Sequence, residues 1–140
     1  MANIPYYEQK DIENIKKLRE MMKELPPFCT EFFRGIEPRT STRTRIAYAY
    51  DLSVFFDFLK KENPVFSKME LMDFTLDHLD QITVTDLEEY MEYLKYRFND
   101  HNQEITNKER GIMRKISSLK SFYNYFFRTE KLKTNPAALV

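Results

Sequence analysis

The segment RKISSLKSFYNYFF, from Arg114 to Phe127, decides the fold because it belongs to one long amphipathic helix. Apolar residues recur along this segment and its flank at intervals of three and four, as on one face of a helix: Ile112, Ile116, Leu119, Tyr123 and Phe126. The pattern extends from about Asn107 to Arg128, a helix roughly 33 Å long. The sequence therefore predicts a helix that lines the core along its whole length.

A second face of this predicted helix is basic and has a low profile. Its cations and small hydroxyls are those of Arg110, Arg114, Ser117, Ser118 and Ser121. Lys115 and Lys120 lie on its flanks. Small side chains permit close approach to a nucleic-acid backbone, and arginine, lysine and serine all donate hydrogen bonds to phosphate oxygens. The pattern fits a helix that lies on DNA, and it also fits a charged helix face that is simply solvated.

The composition indicates one folded helical domain. The chain has 140 residues, of which 42% are hydrophobic and 15% aromatic, which is enough for a real core and argues against disorder. Only two glycines are present, which favours helices over a sheet with many turns. No apolar run is long enough to span a membrane, and the N-terminus lacks the apolar stretch of a signal peptide. The single cysteine, Cys29, is expected to be a core residue in a protein of the reducing cytoplasm.

Charge is unevenly distributed although the net charge is zero. Residues 34–50 carry a net +3 and residues 105–140 carry +6, whereas residues 51–104 between them carry −8. If the two basic segments meet in space, the domain has one cationic face and one anionic face. Such asymmetry matters more for DNA binding than the total charge does.

Four further helices are predicted from apolar periodicity and from helix start and stop signals. They cover residues 8–24, residues 28–36, a segment from an N-cap at Ser41 or Thr42 to Asn63-Pro64, and a segment from Thr83 or Thr85 to Asn99. Short helical turns are expected in the connector 65–82, and residues 100–106 are expected to form a polar loop. The last of the four helices is predicted to end near Asn99 because its apolar stripe includes Leu94 and Phe98.

The start of the third predicted helix is dense in cations and hydroxyls, RTSTRTR from Arg39 to Arg45. Arginine at a helix N-terminus opposes the helix dipole, so the placement makes sense if an anion is bound there. A solvated basic turn is the other interpretation of the same residues.

Three stretches resemble one known family, the tyrosine recombinases of the phage integrase and Xer type. Thr44 to Leu59 is similar to the pattern T-x-x-A-Y-x-x-D-L-x-x-F-x-x-F-L, and Arg114 to Tyr123 is similar to R-x-L-S-x-L-R-x-F-Y, with Lys120 where arginine is usual. Asn135-Pro136-Ala137 resembles the N-P-A that ends the N-terminal, core-binding domain of the family. The resemblance covers roughly residues 28–138.

The resemblance implies an all-α fold, a SAM-like bundle of four main helices, here with an extra N-terminal helix. It divides the chain into an N-terminal helical arm (1–25), a core-binding DNA-binding domain (26–134) and the start of a linker to an absent catalytic domain (135–140). In the family the second and fourth helices of this bundle cross the DNA. They correspond here to the two basic segments.

The implied function is to bind the recombination site, as one half of a clamp, during DNA strand exchange. Ten residues of the two basic segments are the expected DNA contacts: Thr42, Arg43, Thr44, Arg45, Arg110, Arg114, Lys115, Ser117, Ser118 and Lys120. The implied partners are double-stranded DNA and other protomers of a synaptic tetramer. The family cleaves DNA through a tyrosine in a second domain, so this chain is expected to bind DNA without cutting it.

No catalytic, metal or cofactor motif is found in the sequence. His78 and His101 are isolated, and neither has a histidine or cysteine at metal-ligand spacing. A catalytic domain, a cofactor, a small-molecule substrate and a membrane partner are therefore not expected. One alternative to DNA binding stays open, a helical protein-interaction module that uses the acidic surface of residues 51–104.

Overall fold

The computed structural model describes residues 4–140, which fold into a helical bundle with one small β-hairpin. The helices are α1 (Tyr6–Met22), α2 (Cys29–Ile36), α3 (Thr42–Glu62), α4 (Leu76–Leu79), α5 (Val84–Lys95) and α6 (Glu109–Arg128), and the strands are β1 (Arg97–Phe98) and β2 (Glu104–Ile105). The predicted all-α fold class is confirmed. Within residues 4–140, no helix combines the length and the apolar character needed to cross a membrane.

Helix α3 begins and ends where the sequence signals predict. The Ser41 hydroxyl is the N-cap and accepts a hydrogen bond from the Thr44 N–H at 3.1 Å, which satisfies one of the free donors of the first turn. At the other end, Asn63 has extended backbone angles, and the Pro64 that follows has no N–H to continue the helix. The predicted boundaries of α3 are therefore confirmed.

The core lies where α2, α3 and α6 meet, and aromatic rings dominate it. Phe32 from α2, Phe56 from α3 and Phe122 from α6 are fully buried. The Phe122 ring packs edge-on against Phe32 and Phe56, with centroids 5.2 and 6.3 Å away. Edge-to-face packing of this kind adds stability beyond the burial of apolar area. Cys29 is buried beside this cluster, as expected, and burial raises the pKa of its thiol.

The predicted helix from Thr83 to Asn99 is wrong at its end. Helix α5 ends at Lys95, and the Leu94 carbonyl accepts a hydrogen bond from the Asn107 N–H at 3.1 Å instead of from the next helical turn. An antiparallel hairpin follows, with Arg97 paired to Ile105 and Phe98 paired to Glu104. Phe98, expected in the core, is 44% exposed, because the period of two in a strand turns Arg97 inward instead.

Helix α1 lies along α3, and its Leu18 is buried against the core. At the other end of the chain, a 3₁₀ turn (Pro136–Leu139) follows α6, and its Pro136 and Ala137 are buried. Both terminal segments are therefore packed on the bundle. The division into an arm, a domain and a linker stays a prediction, and residues 1–3 of the arm lie outside the described residues.

The two glycines give a matched test of helix packing. A Cβ added at Gly35 in α2 would overlap the ring of Tyr125, which Phe126 fixes at 5.1 Å between centroids. A Cβ at Gly111 in α6 would lie 3.1 Å from the Asn107 amide nitrogen, the tip of a short polar side chain. We expect Gly35→Ala to lower the free energy of unfolding by about 1–2 kcal/mol because the rings must repack. Gly111→Ala should raise it by up to about 1 kcal/mol through helix propensity.

Urea unfolding followed by circular dichroism measures both changes. An equal gain in stability from the two substitutions would contradict close packing of α2 on Tyr125.

Two buried tyrosines give a second matched test. Burial raises the pKa of both Tyr90 and Tyr123. The Tyr123 hydroxyl donates to the Leu79 carbonyl at 3.2 Å, whereas the Tyr90 hydroxyl has no partner within residues 4–140. We expect Tyr123→Phe to cost about 1 kcal/mol of stability because a buried hydrogen bond is lost, although the Leu79 carbonyl keeps the Ile82 N–H as a donor. Tyr90→Phe should leave stability unchanged or raise it.

The same urea titration decides this comparison. A larger loss for Tyr90→Phe than for Tyr123→Phe would show that the Tyr90 hydroxyl is hydrogen-bonded in solution.

Candidate nucleic-acid interface

A buried carboxylate on α3 joins that helix to α6. Asp51 Oδ2 accepts a hydrogen bond from Arg114 Nη1 at 2.7 Å and another from the Ser118 hydroxyl at 2.6 Å. The Asp51 side chain is 1% exposed, whereas the Arg114 side chain is 50% exposed. Farther along, the Tyr48 hydroxyl donates to the Ser121 hydroxyl at 3.4 Å. The two basic segments of the sequence are therefore brought together by direct contacts between α3 and α6.

Six of the ten predicted DNA contacts are accessible from solvent on these two helices. We call these six residues the α3–α6 surface: Arg43, Thr44, Arg110, Arg114, Ser117 and Lys120. Lys120 is half-buried and the other five are exposed. Arg110, Arg114 and Ser117 are separated by four and three residues, so they follow one line along α6. Four cations make this surface basic, and its two small hydroxyl side chains would let a phosphate backbone approach closely.

Two of the other predicted contacts, Thr42 and Arg45, are buried and serve the fold. The Thr42 hydroxyl donates to Asp11 Oδ1 of α1 at 2.7 Å. Arg45 Nη1 donates to the carbonyls of Thr40 and Glu37, at 2.6 and 3.1 Å. These bonds fix α1 and the α2–α3 connection to the start of α3. We therefore remove Thr42 and Arg45 from the candidate interface.

Lys115 and Ser118 are also buried, so they too are excluded from the candidate interface. Burial lowers the pKa of Lys115, and the neighbouring positive charge of Arg114 lowers it further. The Lys115 ammonium lies 5.7 Å from the centroid of the Tyr50 ring, a cation–π contact that partly replaces lost hydration. The Ser118 hydroxyl donates its hydrogen bond to Asp51 Oδ2. Neither side chain is free to contact a phosphate in this structure.

Two charged residues that the sequence left without a role are buried in the structure. Asp51 appeared only as the acidic residue of a motif, and its partner lies 63 residues away in sequence. Arg97 fell within the helix predicted to end at Asn99, yet it lies in β1, it is buried, and its Nε has no hydrogen-bond partner within residues 4–140. The alternation of β1 could have indicated an inward Arg97, but two residues are too short a strand to recognise from sequence.

Comparisons with known proteins identify the family of the chain. Residues 24–139 match the family described as the phage integrase SAM-like domain. Tyrosine recombinase XerC of Caldanaerobacter subterraneus is 34% identical over 121 residues, which cover 79% of this chain and 32% of that protein. XerC of Chlorobaculum tepidum is 31% identical and covers 96% of this chain, and tyrosine recombinase XerS of Lactococcus lactis is 27% identical and covers 81%.

The chain spans about a third of the length of these curated relatives. No solved structure gives a significant match to it. The resemblance inferred from the three sequence motifs is thus confirmed, including its SAM-like fold.

Neighbouring arginines on α3 test the division between buried and surface cations. We expect Arg45→Met to lower the free energy of unfolding by about 2 kcal/mol, because buried carbonyls lose a charged donor. Arg43→Met, at an exposed position two residues earlier, should change it by less than about 0.5 kcal/mol. Thermal or urea unfolding of the two variants gives the comparison. Equal effects would mean that Arg45 is not held by the α2–α3 connection.

Proposed function

The chain belongs to the phage integrase SAM-like domain family, and from this premise we propose that it is the DNA-binding domain of a site-specific tyrosine recombinase. The observation that carries the proposal is the contact of α3 with α6 through Asp51–Arg114 and Tyr48–Ser121, because it joins the helices that carry the accessible cations of two basic segments far apart in sequence. DNA would lie across the N-terminal half of α3 and along α6. Arg43, Arg110, Arg114 and Lys120 would neutralise phosphates, and Thr44 and Ser117 would donate to phosphate oxygens.

The distribution of charge supports this placement. Residues 51–104, which carry the net −8, supply α5 and the connector before it, and only the first part of that segment enters α3. Acidic residues of α5 such as Glu88, Glu89 and Glu92 are exposed on a helix that contributes nothing to the α3–α6 surface. The accessible cations of α3 and α6 would therefore attract a polyanion although the total charge of the molecule is zero.

We propose further that the chain works within a longer recombinase. Its relatives are named tyrosine recombinases. The intact protein would likewise recombine DNA, with a tyrosine nucleophile supplied by residues outside this chain. This domain would then hold one side of the recombination site as half of a clamp. Other protomers bound to the same and the partner site would be its protein partners.

The proposal predicts salt-dependent binding to duplex DNA. Four accessible cations that each neutralise one phosphate give a slope of about −3 to −4 for the logarithm of the association constant against the logarithm of salt concentration. Arg110→Ala and Lys120→Ala should each weaken binding roughly fivefold at low salt and reduce the slope by about 1. Fluorescence anisotropy of a labelled duplex at several salt concentrations measures both quantities.

Lys68→Ala is the matched control. Lys68 is exposed, as Arg110 is, and it lies in the turn after the C-terminal end of α3, outside the α3–α6 surface. Its substitution should leave the slope unchanged. Binding that does not depend on salt, or that falls as much for Lys68→Ala as for Arg110→Ala, would contradict the proposed interface.

A further inference from the structure

The guanidinium of Arg114 is held from below by a carboxylate that DNA does not reach. Asp51 is almost fully buried beneath the α3–α6 surface and binds a single nitrogen of Arg114, Nη1, at 2.7 Å. The other guanidinium nitrogens form no hydrogen bond within residues 4–140, and the side chain is half exposed. We propose that Asp51 is a positioning residue for DNA binding, which holds Arg114 with its free nitrogens toward a phosphate. This inference rests on the proposed function.

The anchor is rigid because Asp51 is itself fixed. Its Oδ2 also accepts a hydrogen bond from the Ser118 hydroxyl at 2.6 Å, and Ser118 is one turn from Arg114 on α6. The carboxylate thus joins α3 to two positions of α6. A free arginine side chain loses rotamer freedom when it binds a phosphate, and a side chain already ordered by the fold loses less. Arg114 differs in this respect from Arg110 and Lys120, which have no such anchor within the described residues.

Stability alone gives a weak reason for a carboxylate at this position. Removing a carboxylate from water is costly, and a buried ion pair often stabilises a fold no more than apolar side chains of the same volume. The second oxygen, Oδ1, is buried without a hydrogen-bond partner in residues 4–140, so the desolvation is only partly compensated. Orientation of Arg114 explains why the negative charge is useful here despite that loss.

Electrostatics and positioning predict opposite outcomes when the charge is removed. The negative charge of Asp51 beneath the surface repels phosphate. If this repulsion is the only effect of Asp51 on DNA binding, Asp51→Asn should strengthen binding. If Asp51 positions Arg114, the same substitution should weaken binding, because the guanidinium loses its charged acceptor and becomes disordered. The sign of the change therefore separates the two roles.

The experiment is a double-mutant cycle measured by titration of one labelled duplex. It compares the wild type with Asp51→Asn, Arg114→Ala and the double variant at several salt concentrations. We expect Asp51→Asn to weaken binding about tenfold and to reduce the salt slope by about 1, as for the loss of one phosphate contact. In the Arg114→Ala background, Asp51→Asn should cause no further loss, because there is no guanidinium left to orient.

Two control variants accompany the cycle. Asp57→Asn removes one negative charge from the same helix, where Asp57 pairs with Lys61 instead of Arg114, and it should leave affinity unchanged or slightly higher. Ser118→Ala keeps the Asp51 charge and removes one of its fixing bonds, so it should weaken binding by a smaller factor than Asp51→Asn. Circular dichroism at the titration temperature establishes that each variant is folded. If Asp51→Asn does not fold, the decision falls to Ser118→Ala, whose binding must then be weaker than that of the wild type.

The failures of the two proposals are distinguishable. A wild type that does not bind the duplex overturns the proposed function and this inference with it. A wild type that binds, together with an Asp51→Asn variant that binds equally well or more tightly, overturns the positioning role alone. An equal further loss from Asp51→Asn in the Arg114→Ala background would also overturn it, because the effect would then be independent of Arg114.

Discussion

Helices α3 and α6 are held together by apolar contacts on one side and by the carboxylate of Asp51 on the other. Phe56 and Phe122 meet within the aromatic cluster, while Asp51 accepts from Arg114 and Ser118 where the helices come to the surface. A helix has room for both roles because residues three and four apart share a face. The accessible cations of the α3–α6 surface are carried by these two helices, so how the two groups lie relative to each other depends on this packing.

The net charge of the chain is zero, but its acidic and basic residues lie in different segments. Acidic residues collect on α5 and the connector before it, and basic residues collect at the start of α3 and along α6. Not every cation in the basic segments contributes to the surface, however. Arg45 and Lys115 are buried, one bonded to backbone carbonyls and the other over the ring of Tyr50. The effective surface charge is therefore smaller than the count of basic residues suggests.

Two elements lie beside the main bundle, α1 and the β-hairpin, and both pack against α3. The side chains of Asp11 and Asn14 in α1 hydrogen-bond the Thr42 hydroxyl at the N-terminal end of α3. At the other end, Lys61 of α3 pairs with Asp100 at the hairpin tip, 3.2 Å away. The N-terminal end of α3, which presents Arg43 and Thr44, is thus held mainly by α1, because an exposed ion pair such as Lys61–Asp100 contributes little.

The sequence by itself determined the main helices and their buried faces, because the period of apolar residues and the stop signals at prolines are local properties. Ile112, Ile116, Leu119, Tyr123 and Phe126 of α6 are all buried, as their spacing predicted. The two basic segments and their family resemblance were also evident from neighbouring residues alone. Tertiary structure decided which of their side chains remain accessible. Arg43 and Arg45 look alike in sequence, and only the path of the chain before α3 buries one and exposes the other. The pairing of Asp51 with Arg114 joins segments 63 residues apart, and no local pattern encodes such a contact. The hairpin after Lys95 is local, but its strands have two residues each, too few for a period of two to be recognised in the sequence.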